Sequence, residues 1–323
     1  MNQLKVGFVF GAGGIFSCAI ASGVERACRD AIGVDVHTAA LSVGTSGGAA
    51  YLGYRSVMSI DEGDELLRGA SQSPLDLNAF MSKKRLSQSH PLAGSPPEKL
   101  LGIYHLARAW RRREGDDKPL AVADRRLRQA PFICPIERLA HQDLPAEFPE
   151  KTWIVAYDLA ARRRVVFGRD RAAALPDAVT ASCCIPFLYR PHVIAETLYL
   201  DGGIESLTNL DLLASAGLDL VIVTNPTATW RSETFREMRY ERALVKQSGA
   251  RVVCIDVPAS VQPCRYQDYM RTSRLGDAID EIYPRALRQI SAAVRAINAD
   301  VLPDASMARD LVLPSLVLPS LVG

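Results

Sequence analysis

The segment Gly44-Thr45-Ser46-Gly47-Gly48 fits the pattern G-x-S-x-G, set between a strand-like AALSV and a small-residue, helix-like GAAYLGY. That context is what a nucleophile elbow requires: a strand-to-helix turn so tight that only glycine fits two residues before and after the serine. Ser46 would stand clear of the backbone with its hydroxyl presented to a substrate carbonyl. Upstream, Phe10-Gly11-Ala12-Gly13-Gly14 clusters backbone N–H groups at a helix start, a nest suited to an anion. The Gly-Lys-Ser/Thr of a phosphate loop is absent, and Phe16 stands where a dinucleotide fingerprint needs its third glycine. An oxyanion hole for a tetrahedral intermediate remains, formed by the amides around Gly11, Ala12, Gly13 and Gly14, and it matches a serine on the next strand.

The partner of that serine is less direct to read. An α/β-hydrolase would place its elbow after several strands and its histidine after the acid, yet the last histidine, His192, precedes Asp201. Either the base is a histidine from elsewhere or it is not histidine. His192 is the only histidine near a motif, and a Ser–His pair of the acyltransferase kind would use it. Asp201-Gly202-Gly203 follows the apolar Leu198-Tyr199-Leu200; an Asp-Gly alone is commonly a turn. Asp158, between two strand runs, reads as a turn residue with no catalytic role.

Taken together, a glycine turn after the first strand, an elbow at Ser46 and Asp201-Gly202-Gly203 resemble the patatin-like phospholipases. Similar too are Trp153-Ile154-Val155-Ala156-Tyr157-Asp158 with Arg163-Arg164-Val165-Val166-Phe167, and Ser182-Cys183-Cys184-Ile185-Pro186. The resemblance spans the chain to about Val257 and implies a Ser–Asp dyad without histidine. Ser46 is then the nucleophile of an acyl-enzyme, Asp201 its base, and Gly47 a further oxyanion donor. It implies a lipid or other acyl ester as substrate, with no metal or organic cofactor. Acyl transfer from an ester or thioester uses the same chemistry with another acceptor, and a degenerate acyl-binding protein is a third reading. One departure is plain: the family's first motif carries a basic residue, whereas here Ile15, Phe16 and Ser17 follow the glycines.

The elements that must hold these residues are legible in part. Strand candidates at Leu4–Phe10, Ala39–Val43, Trp153–Asp158, Arg163–Phe167, Leu198–Leu200, Leu218–Thr224 and Arg251–Val257 alternate with helical stretches, including Ser17–Asp30 and Gly47–Met58. This predicts a three-layer α/β/α sandwich around a mainly parallel sheet. One domain is expected over the 323 residues, with a helical cap at 61–130. A helical extension follows at 265–323, ending in the apolar repeat Leu-Val-Leu-Pro-Ser. The helical part of that extension is expected on the outer face of the sheet.

Composition narrows the classes. With 48% apolar and 23% charged residues the chain is neither disordered nor a coiled coil. Seven scattered cysteines predict free thiols, and five histidines, each far from the next, give no local metal motif. The opening MNQLKVGFVF runs straight into a strand, so no secretory leader is expected and a cytoplasmic location is. From Met81 to Arg128 twelve Lys/Arg face five Asp/Glu. That basic stretch is a solvated surface or a peripheral contact with anionic membrane, and no nucleic-acid motif accompanies it.

Overall fold

Five apolar residues in succession leave no polar face, so Val6–Phe10 forms strand β1 in the middle of a sheet, buried on both sides. The computed structural model describes residues 4–72, 104, 107, 125–130, 132–225, 233–263 and 266–301. Most of the expected cap, with its basic stretch, and the repeated apolar tail lie outside the described residues. β2 (Leu41–Thr45), β7 (Leu220–Asn225) and β8 (Arg251–Asp256) extend the parallel core. β1 pairs with β2 and β7, and β7 with β8. β3 (Thr152–Asp158) runs parallel to β2, whereas β4 (Arg163–Phe167), β6 (Thr197–Asp201) and the short β5 (His192–Ile194) are antiparallel additions. β5 had no signal in the sequence, for its three residues are half-exposed and its pattern too short to repeat.

Alternate side chains of the strands feed two cores. Phe8, Phe10, Leu220 and Ile222 pack with α1 (Gly14–Ile32) and the C-terminal α7 (Leu275–Val301). Val9, Val43, Val155, Val221 and Val223 pack beneath Leu210, Leu212 and Val245 of α6 (Glu233–Gln247). Helices therefore cover both faces of a mainly parallel sheet, the α/β sandwich expected. α2 (Gly47–Arg55), α3 (Ile60–Gln72), α4 (Ile136–Asp143) and α5 (Leu175–Ser182) complete the set. α2 and α5 pack over β3 through Ala49, Val179, Ile154 and Ala156. α7 lies along α1 and reaches β8. Helix α1 runs past the expected Asp30 to Gly33, whose left-handed φ of 71° closes it by donating to Arg29 O at 2.8 Å.

The register decides what meets what. β4 occupies one edge of β3 from Ile154 to Asp158. A strand has two edges, so β2, paired over Thr152–Val155, and β6, paired over Ala156–Asp158, share the other end to end. Thr45 is opposite Val155 and Asp201 opposite Ala156. The residue before the elbow and the candidate acid thus stand at successive positions of one strand.

Helices α1 and α2, which begin at the two glycine turns, are pinned by a buried ion pair. Arg55 grips the Glu25 carboxylate with Nε at 3.1–3.2 Å and Nη2 at 2.9 Å, both side chains at most 3% exposed. Val36 N–H and the Tyr51 hydroxyl donate to the same carboxylate. Removing one partner leaves a charge stranded in the core, so Arg55→Ala is expected to cost about 3–5 kcal/mol. The check is the urea unfolding midpoint against wild type.

Candidate active site

Ser46 sits between β2 and α2 with φ 56°, ψ −119°, a backbone conformation that costs a non-glycine residue energy and that the elbow imposes. A Cβ on Gly47 would lie 2.0 Å from Gly14 O, and one on Gly48 2.0 Å from Phe10 O. The start of α2 therefore rests main chain to main chain on the first glycine turn. Gly44 closes the elbow from the strand side.

The three residues Ser182, Cys183 and Cys184 at the end of α5 brace nucleophile and acid alike. Ser182 Oγ accepts from Ser46 N–H at 2.9 Å and donates to Val155 O at 2.6 Å. Cys183 Sγ contacts Ser46 O at 3.3 Å, and Cys184 O accepts from Asp201 N–H at 2.9 Å. Asp201 is fully buried at the end of β6. Its Oδ1 accepts from Gly203 N–H at 2.8 Å, capping the 3-10 turn Gly202–Ile204. Gly202 is needed because a Cβ there would stand 2.4 Å from Val155 O.

Burial pushes the Asp201 carboxyl up to about 6, against the opposing pull of the Gly203 N–H, the Ser46 hydroxyl and the Tyr104 phenol. Ser46 and Asp201 are thus brought together as the sequence motifs suggest. His192 is not with them: on β5 it bonds Asp177 at 2.8 Å. Asp158 accepts from Ala160 and Ala161 N–H at 3.0 and 2.8 Å, a turn residue.

The glycine turn divides its amides. Gly11 N–H donates to Thr224 O at 3.3 Å and Ala12 N–H to Leu207 O at 2.8 Å. Both expected oxyanion donors are spent on holding the turn. Gly13, the N-cap of α1, with Gly14 and Gly47 in the first turns of α1 and α2, have no intrahelical acceptor for their N–H groups. Of the five expected donors, these three stand at helix starts, where no helix bond takes them up. Behind them Asn209, with φ 55°, donates to Thr45 Oγ1 at 3.1 Å and to Ser206 O at 2.6 Å. Glu241 in turn accepts from Thr208 Oγ1 at 2.6 Å and Leu210 N–H at 3.1 Å, and its burial raises its carboxyl to about 7. The supporting roles of Ser182, Asn209 and Glu241 had no motif to announce them.

No protein-family model and no curated protein matches the chain. Among solved structures, VipD from Legionella pneumophila aligns over 93% of this chain and 75% of its own at 14% identity, with a TM-score of 0.35. What the fold and site define is an α/β sandwich holding a buried carboxylate beside an elbow serine. Among the described residues no helix is long and apolar enough to cross a membrane.

The carboxylate leaves a thermodynamic signature. Asp201 titrates near 3.8 when unfolded and near 6 when folded, so the native state keeps the proton to higher pH. Its share of stability is full below about pH 4, is lost as pH rises to about 6, and stays level beyond. Asp201→Asn abolishes that loss, and above pH 6 the variant is expected to exceed wild type by about 2–3 kcal/mol. Denaturant titrations of both proteins from pH 4 to 8 check this.

Proposed function

We propose that the protein is a patatin-like serine acyl hydrolase acting on a lipid-like ester. The observation that carries this reading is the meeting of Ser46 and the proton-seeking, buried Asp201 on one edge of β3, with three helix-start amides beside them. As Ser46 Oγ attacks the acyl carbonyl, its proton passes to Asp201, whose raised pKa makes it a better base than an exposed carboxylate. The carbonyl oxygen becomes an oxyanion held by the amides of Gly13, Gly14 and Gly47. Asp201 returns the proton to the departing alcohol, leaving an acyl-Ser46 ester. Water, its proton drawn by Asp201, attacks that ester, and Asp201 passes the proton to Ser46 Oγ as the acid departs, which restores the free serine.

The chemistry asks only for a serine, a base and fixed N–H dipoles, all of which this chain's own residues supply. The family's basic residue in the glycine turn is replaced by Ile15, Phe16 and Ser17. Ser17 Oγ donates to Gly11 O at 2.6 Å and so fastens the turn from within.

Hydrolysis of p-nitrophenyl esters, a phospholipid and an acyl-thioester by wild type, Ser46→Ala and Asp201→Asn tests the proposal. Wild type is expected to turn over at least one, with both variants down by about 10³-fold or more. The substrate preferred separates ester hydrolysis from thioester transfer. An inert wild type that still binds an acyl chain overturns catalysis in favour of an acyl-binding role. A second measurement follows from the carboxylate: kcat/KM should climb with pH through about 6 and then level off.

A further inference from the structure

Three elements meet at the N-terminal end of α5, the end opposite Ser182, and bring together residues that the sequence keeps far apart. His141 lies in the last turn of α4, Asp177 in the first turn of α5 and His192 on β5. Asp177 Oδ1 is 2.8 Å from His192 Nε2 and 3.4 Å from His141 Nε2, and the three residues each offer a ligand atom within 4.8 Å of the others. Glu137, one helical turn before His141 on the same face of α4, stands with its Oε1 4.0 Å from His192 Nδ1.

The geometry points to a divalent transition-metal site of the zinc class, with His141, His192 and Asp177 as ligands and Glu137 orienting His192 from behind. Zinc bonds of about 2.0–2.1 Å at tetrahedral angles set neighbouring ligand atoms about 3.3 Å apart. The His141–Asp177 separation of 3.4 Å already meets that spacing, and the His192–Asp177 contact of 2.8 Å needs to open by about half an ångström. Two imidazoles and one carboxylate suit zinc and its neighbours rather than magnesium or calcium, which take all-oxygen shells.

With a metal on Nε2 of His192, its Nδ1 carries the proton on the side of the Glu137 carboxylate, the carboxylate–histidine–metal arrangement that fixes ligand tautomers. Access is open, for His141 is 45% and Asp177 28% exposed, while His192 is held at 10%. The bound ion would tie α4, α5 and β5 together. α5 ends at Ser182, which holds the Ser46 amide, and β5 pairs with the strand that ends in Asp201. The site stands whether or not Ser46 is a working nucleophile.

The test is zinc titration of the chelator-treated full chain, read by calorimetry and by the melting temperature, with cobalt(II) as a spectroscopic probe. Expected are one ion per chain, a rise in melting temperature, visible bands of tetrahedral cobalt, and no response to magnesium. His141→Ala should abolish the binding and the bands. Glu137→Gln should weaken affinity by about 10-fold or more. Absence of binding, or binding that persists unaltered in His141→Ala, overturns the site.

Discussion

The arrangement depends on a strand that is longer than its neighbour. β3 continues past the end of β2, and the edge thereby left open is filled by β6 running the other way. Backbone hydrogen bonding forbids a gap there, because unpaired buried amides and carbonyls are costly. The end of a parallel strand and the end of an antiparallel one are consequently forced head to head, and whatever residues occupy those ends must touch. Here they are an elbow serine and an aspartate.

Holding such a junction takes more than the sheet. A carboxylate withdrawn from water resists burial, and the elbow backbone is strained, so each has to be fixed by something stronger. The chain answers with main-chain contacts in front, where α2 rests on the first glycine turn, and with the segment 182–184 at the side. Behind, Leu207 O receives the Ala12 amide and Asn209 reaches Thr45, tying the segment after Gly203 to both glycine turns. The Glu25–Arg55 pair then fixes the angle between the two helices that begin there.

Much of this was legible from the chain. Continuous apolar runs gave the parallel strands, and Ser46 and Asp201 were conspicuous because glycines flank them at fixed offsets. The donors were less so: Gly11 and Ala12 look equivalent to Gly13 and Gly14 in sequence, and only the partners at Thr224 and Leu207, some two hundred residues on, distinguish them. Ser182 and Asn209 act through long-range hydrogen bonds that leave no periodic trace. His141, Asp177 and His192 escaped for the same reason, since a spacing rule sees ligands only when one helix or loop carries them.

The contacts of Gly47 and Gly48 with the carbonyl oxygens of Gly14 and Phe10 have a genetic consequence. A clash with a neighbouring side chain can be relieved by shrinking that neighbour, so such lesions have suppressors elsewhere in the gene. A carbonyl oxygen is the same whatever residue carries it. No exchange at position 10 or 14 makes room for a methyl group at 48 or 47, and a revertant of either lesion has to restore the glycine itself.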